Sequence, residues 1–263
     1  MNIHPTSIVS KNARLEQGVV VGPYTIIHDD VVIKKQTEIG SSVEIFRGSE
    51  IGSNCKIHKG AVIGEAPQHL TDRGENTKVI IGDNNIIREF VTIHRGTQLG
   101  NGKTVIGNNN FIMVAAHIAH DCVLGSNIII ANETGISGHT VIEDHASISG
   151  ICPIHQFVRI GGYCFVGGGY RINKDIWPYA LAAGDPIGIT GLNIVGLKRA
   201  GFDRAVIREL KKAFKILFQS SIVKLDDRFD EIEQTCEDLP QIKHLLKFGR
   251  AETKMGLAGR FRR

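Results

Sequence analysis

A chain of 263 residues with net charge +4, 42% hydrophobic side chains, 30 glycines and seven prolines has the composition of a globular protein, which excludes a collagen-like or disordered polymer. Five cysteines with no Cys-x-x-Cys pair argue against both a disulfide framework and a zinc ribbon. The start, Met1-Asn2-Ile3-His4-Pro5, has neither a basic nor an apolar leader, and no apolar run reaches membrane-spanning length; a cytoplasmic protein without stable membrane insertion is expected. Charge is uneven: residues 1–197 carry 15 basic and 17 acidic side chains, and residues 198–263 carry 16 and 10. The basic tail reads as a solvated helical surface, or as a skirt attracting an acidic partner or a phosphorylated ligand. No nucleic-acid partner is expected.

From the N-terminus, aliphatic residues fall at every sixth position: Ile3, Val9, Leu15, Val21, Ile27, Ile33, Ile39, Ile45, Ile51, Ile57 and Ile63. Ile81, Ile87, Ile93 and Leu99 continue in phase, and after a shift of one the series runs from Ile106 through Ile118, Ile136 and Ile154 to Val166. A period of six fits neither an α-helix nor a simple strand. It fits short strands separated by turns, each sending one aliphatic inward. Glycine often follows the aliphatic, as at Gly22, Gly40, Gly52 and Gly125, where a side chain would clash or φ must be positive. Four residues after an aliphatic stand Thr25, Thr37, Cys55, Ala61, Cys122, Thr134, Thr140, Ala146, Cys152 and Cys164. This slot selects small buried side chains, so the cysteines are read as packing residues and not as metal ligands.

The hexapeptide pattern resembles that of the left-handed β-helix acyltransferases, in which three hexads make one triangular coil; the resemblance implies about nine coils over residues 3–166. Two polar, glycine-rich stretches interrupt the count, 65–79 and 95–104, and are read as loops thrown out from the prism. Ala183-Gly184-Asp185-Pro186 looks like the exit from the solenoid. Asp203 can cap a helix bearing Val206, Leu210, Ala213, Phe214 and Leu217. A second helix carries Leu225, Phe229, Ile232 and Cys236 on one face, and Pro240 opens a third with Ile242, Leu245 and Leu246. The expected division is a β-helix over 1–190 and a helical domain over 191–263, the helices covering strand edges that would otherwise invite aggregation.

Ile118, Ile136 and Ile154 are three hexads apart and stack on successive coils, so His117, His120, His139 and His155 lie along one edge of the prism. Four histidines outside the aliphatic slots point to chemistry rather than packing. The segment Ala115-Ala116-His117-Ile118-Ala119-His120-Asp121-Cys122 resembles the signature of the UDP-N-acetylglucosamine O-acyltransferases of lipid A biosynthesis. Ile93-His94-Arg95-Gly96-Thr97, Gly138-His139, His155-Gln156-Phe157, Gly191-Leu192-Asn193-Ile194 and Gly196-Leu197-Lys198-Arg199 extend the resemblance along the chain.

The resemblance implies a left-handed parallel β-helix of the hexapeptide-repeat type with a C-terminal α-helical domain, assembled as a homotrimer. It implies transfer of a hydroxyacyl chain from the phosphopantetheine thioester of acyl carrier protein to a UDP-sugar, with no metal or other cofactor. His120 would be the general base with Asp121 beside it, and the Gly138 N–H would stabilise the oxyanion. His117, His139, His155, Gln156 and His69 would line the sugar and thioester cleft. Asn193 and Arg199 would hold the nucleotide, and Gly168 would set acyl length. His69 and Thr71 stand where the family commonly has aspartate and lysine, and Val195 and Ala200 where it has glutamate and arginine. These changes leave open a 3-amino sugar in place of the hydroxyl sugar. Two other classes compete: a zinc enzyme like the γ-class carbonic anhydrases, whose close histidines are five apart where His117 and His120 are three apart, and a non-catalytic β-solenoid scaffold.

Overall fold

The computed structural model describes residues 2–261. Each coil pairs in parallel register with the next, from Asn2↔Val20 and Ile3↔Val21 onward. The two-residue strands stack into three sheets forming the faces of a left-handed β-helix: the first of 11 strands, the second and third of eight each. The register lengthens at two places. Lys56 pairs with Ile86 and not with Gly74, where a regular coil would bring it. Ile86 in turn pairs with Phe111 and not with Thr104. The extra residues are the segments 66–77 and 95–102, which leave the prism between the strands Val62–Glu65 and Lys78–Ile81, and between Thr92–His94 and Lys103–Ile106.

The inward aliphatics are the core; Ile27, Ile45, Ile93, Ile118, Ile136 and Ile154 are all buried. Val9 and Leu15 near the N-terminal end are half-buried, and two hexad positions read from the sequence are exposed. Ile3 is exposed on the terminal coil, and Leu99 is 82% exposed because it lies in the second excursion, so its agreement in phase is coincidental. The small slot has a further reason for its composition. Thr25 Oγ1 donates to the Gly40 carbonyl at 2.8 Å and Thr37 Oγ1 to Gly52 at 2.7 Å. Cys122 Sγ donates to Ser137 and Cys152 Sγ to Gly167. Where the slot holds threonine or cysteine, the side chain can therefore reach the next coil's corner carbonyl. Burial pushes the Cys122 and Cys164 thiols up to about 12, which keeps them protonated and inert.

At Gly22, Gly40, Gly52 and Gly125 glycine is required by stacking and not by backbone sign: a Cβ on Gly22 would stand 2.7 Å from the Gly40 backbone. Positive φ falls two residues later, at corners held by non-glycine residues such as Asp121 and His139, both at 59°.

Beyond Val166 the first sheet continues as a hairpin, Ala180–Ala183 antiparallel to Gly188–Leu192, so residues 184–187 are a hairpin turn within the sheet and not the exit from it. Helix α1, Ile194–Arg199, follows; the sequence gives little sign of a six-residue helix with Gly196 inside it. Asn193 makes it possible, its Oδ1 accepting the Gly196 N–H at 3.1 Å while its Nδ2 donates to the Tyr163 carbonyl at 2.9 Å. Helices α2 (Arg204–Gln219), α3 (Leu225–Thr235) and α4 (Pro240–Arg250) complete the domain. Asp203 precedes α2 but its side chain makes no capping hydrogen bond, and Cys236 lies one residue past α3. Buried Trp177 joins the two parts: it packs against Phe218, Phe229 and Phe248 and donates its indole N–H to the Ala258 carbonyl at 3.0 Å. No described helix is long and apolar enough to cross a membrane.

Candidate active site

The corner that leaves the second sheet carries two columns of side chains, each with one member per coil. Residues two past the aliphatic are His120, Gly138 and Gln156; residues three past it are Asp121, His139 and Phe157. The His120 ring rises over Gly138, where a Cβ would stand 2.5 Å from His120 Cε1. Only glycine in that place lets the ring lie there. Among the described residues, no group accepts the Gly138 N–H.

Asp121 is fully buried and held on every side. Its oxygens accept the Thr97 N–H at 3.1 Å, the Thr97 hydroxyl at 2.7 Å, the Asn101 N–H at 2.8 Å and His120 Nδ1 at 2.9 Å. Gly100 closes the clamp, for a Cβ there would meet Asp121 Cγ at 2.4 Å. The second excursion, 95–102, is thus a cradle for one carboxylate. Burial opposes its charge, but the bonds from His120, Thr97 and Asn101 prevail and draw it down to about 2. An ionised Asp121 requires the proton of His120 on Nδ1, which leaves Nε2 as an acceptor.

The first excursion contributes His69, whose ring meets His120 edge-on at 5.3 Å. Thr71 Oγ1 lies 2.8 Å from His69 Nδ1, so two departures from the family pattern hold each other beside the histidine. From the next coil His139 also meets His120 edge-on at 5.3 Å, with its Nε2 3.8 Å from Asp121 Oδ2. Burial lowers the His139 pKa. His117 lies on the second sheet with its Nδ1 2.7 Å from Thr92 Oγ1, and burial pushes it down to about 4. His94 packs edge-on against His117 at 5.1 Å and is also pushed down by burial; its Nδ1 has no partner among the described residues. The carboxylate of Asp121 thus lies near three imidazoles, those of His94, His117 and His139, that burial holds toward the neutral form.

His120, Asp121 and His139 place donor atoms within 4.8 Å of one another, a spacing a metal could use. The donor set fits poorly, because His120 Nδ1 and three groups from the cradle already occupy both oxygens of Asp121. A buried base with its outer nitrogen free, beside an unpaired backbone N–H, is instead equipped to take a proton and to stabilise an oxyanion.

Not every candidate joins this group. His155 is exposed, one position earlier on its corner than His120, with Nδ1 3.0 Å from the Gln156 carbonyl. Asn193 and Arg199 line a largely apolar cavity of about 730 Å³ on the first sheet, with His145, Tyr163, Phe165 and Val195. No described cavity of one chain joins that surface to His120. Gly168 is at the following corner of the first sheet, where a Cβ would stand 3.1 Å from the Gly150 carbonyl oxygen. Sequence reasoning assigned no role to His94, Thr97, Asn101 or Phe157. For the first two a signal was available, since both lie in the quoted segment Ile93–Thr97.

Residues 175–258 match the family described as Udp N-acetylglucosamine O-acyltransferase, domain 2, and residues 103–138 match the bacterial transferase hexapeptide of six repeats. An acyl-[acyl-carrier-protein]–UDP-N-acetylglucosamine O-acyltransferase from Thermodesulfovibrio yellowstonii is 45% identical over 94% of this chain and 95% of its own. The chain belongs to the UDP-N-acetylglucosamine O-acyltransferase family. A second O-acyltransferase relative, from Syntrophobacter fumaroxidans, is also 45% identical, over 94% of this chain and 96% of its own. The UDP-N-acetylglucosamine acyltransferase of Bacteroides fragilis superposes with a TM-score of 0.93 at 38% identity, covering 98% of this chain and 99% of that one. The Moraxella catarrhalis O-acyltransferase gives 0.93 at 40% identity over 98% and 100%. Membership confirms the left-handed β-helix with C-terminal helices.

Proposed function

We propose that the protein is a cytoplasmic homotrimer that transfers a 3-hydroxyacyl chain from acyl carrier protein to the 3-position of UDP-N-acetylglucosamine, the first step of lipid A biosynthesis. The observation carrying this reading is the His120–Asp121 pair with its ring seated over Gly138. His120 Nε2 takes the proton of the acceptor hydroxyl as its oxygen attacks the thioester carbonyl. The Gly138 N–H donates to the resulting oxyanion. Collapse of the tetrahedral adduct breaks the C–S bond, and the departing thiolate takes the proton back from His120. No metal enters any step. His117, His139, His155, Gln156 and His69 would orient the sugar and thioester, and Asn193 and Arg199 the nucleotide. The separation of Asn193 and Arg199 from His120 within one chain supports an assembly in which neighbouring copies complete the cleft. Gly168 would leave room for a long acyl chain, and Gly168→Met should favour shorter donors.

Acyl transfer from a series of hydroxyacyl carrier proteins to UDP-N-acetylglucosamine, followed by mass spectrometry of the sugar product, tests the reading; absence of ester product with every donor would overturn it. One observation favours the 3-amino sugar as acceptor: Thr71, which stands where the family commonly has lysine, is held against His69 beside His120, so no lysine ammonium from that position repels an aminosugar cation. Measuring kcat/KM for both acceptors decides, a tenfold preference corresponding to about 1.4 kcal/mol. A clear preference for the hydroxyl sugar rejects the amine.

A further inference from the structure

After α4 the chain returns to the solenoid. The Asp175 N–H donates to the Gly256 carbonyl at 2.9 Å, and the Ala258 N–H donates back to the Asp175 carbonyl at 2.9 Å. Lys174 Nζ donates to the Met255 carbonyl at 2.8 Å, and the Gly256 N–H to Thr253 Oγ1 at 2.8 Å. These bonds fix residues 253–258 against the last coil, and they bring Lys254 Nζ to 4.1 Å from the centre of the Phe157 ring. Phe157 is already stacked on His139, with centroids 4.8 Å apart and planes at 17°, so Lys254 covers the face that His139 leaves open. Lys254, Phe157, His139 and His120 therefore form one continuous column ending at the candidate base. Among the described residues, no carboxylate lies within ion-pair distance of Lys254, so its charge faces the ring unneutralised.

We propose that Lys254 is a positioning residue for the acyl-transfer centre, acting through Phe157 to hold His139 in place and neutral. The proposal rests on the functional reading above. Burial is the largest influence disfavouring a proton on His139; of the charged and titratable groups facing it, Asp121 draws a proton onto it, whereas His120, Lys254 and His69 oppose one. A protonated His139, with its Nε2 3.8 Å from Asp121 Oδ2, would compete with His120 for that oxygen. It would also repel the imidazolium that forms on His120 during transfer. Lys254 reserves Asp121 for His120, and the cation over the ring pins the stack.

The test uses the intact protein and three variants, Lys254→Met, Lys254→Glu and Lys254→Arg. Two quantities are read: the NMR titration of His139, and the pH profile of kcat/KM for acyl transfer. Removing the cation should raise the His139 titration midpoint and move the acid limb of kcat/KM to higher pH. Below neutrality Lys254→Met should lose about two- to five-fold in rate, the range an exposed cation–ring contact supports. Lys254→Glu should move both readouts further, and Lys254→Arg should restore the parent values. An unmoved midpoint in Lys254→Met and Lys254→Glu, or an arginine variant behaving like methionine, overturns the proposal. The NMR arm needs no turnover. A protein that titrates as expected yet makes no ester supports the positioning column and refutes the acyl-transfer reading alone.

Discussion

Two corners of this prism carry the same motif and do different things. At the first, His139 holds a left-handed backbone and stacks on Phe157 one coil away; at the second, His145 does the same with Tyr163, at 4.4 Å and 12°. The difference lies one coil earlier in each column, where the first corner has Asp121 and the second Asn127. It lies also in the loops. Asp121 is enclosed by residues 97–101, and His69 is delivered from residues 66–77, whereas no excursion reaches His145. A stacked histidine is what the repeat supplies by itself. A carboxylate buried with four donors, and a base oriented by it, needs chain that leaves the repeat.

The sharpest way to break the comparison is to make the first corner resemble the second. Asp121→Asn puts an amide donor against His120 Nδ1 and moves the ring proton to Nε2, so kcat should fall by up to about 10⁴, as tautomer reversal does in serine proteases. His120→Ala should cost about 10²–10⁴ with the circular dichroism spectrum unchanged; near-normal turnover in either variant removes the dyad from catalysis. Gly138→Ala comes next. Its Cβ would collide with the His120 ring, and a displacement of about 1 Å can cost about 10² in kcat. An alanine variant with parental kcat would show that the ring need not sit there.

Asp121 also marks the first corner in stability. Its folded-state pKa, about 2, lies below the ordinary 3.8. The stabilisation is therefore complete above pH 3.8 and disappears as pH falls through about 2. Its size is about 2 kcal/mol. Denaturant unfolding across that window should be steeper for the parent than for Asp121→Asn, and parallel curves would contradict the assignment.

Smaller effects separate the two histidines. His139→Ala should lower kcat by about tenfold, or about 1.4 kcal/mol, while His145→Ala, on the cavity with Asn193 and Arg199, should raise KM for the UDP-sugar and spare kcat. Equal effects on kcat would erase the distinction between the corners. Exhaustive chelation should change nothing, and loss of rate restored only by zinc would make the triad His120, Asp121 and His139 a metal site.

Much of this was legible in the chain because the scaffold is periodic. A period of six gives the coil, the coil gives columns, and the columns put His120 beside His139. The same regularity misled at Leu99, which keeps phase but sits in a loop. What was not legible depends on contacts without a period. Thr97 and Asn101 reach Asp121 only because the loop folds back on it. Lys254 reaches Phe157 from beyond the last helix, through main-chain bonds that no side-chain pattern announces. Helix α1 was missed because its stability comes from the Asn193 cap and from Tyr163, not from an apolar stripe.

The two lengthened registers, Lys56 to Ile86 and Ile86 to Phe111 against Ile3 to Val21, also measure entropy. The closure cost of a flexible loop grows only as the logarithm of its length. Closing the coil that carries the first excursion therefore costs about 0.5 kcal/mol more than closing a regular one, and the second about 0.3 kcal/mol more. A single net hydrogen bond, worth about 1 kcal/mol, offsets either. A solenoid closed by local steps can therefore host catalytic insertions at almost any coil. Where they occur is then set by the chemistry they must reach and not by the tolerance of the fold.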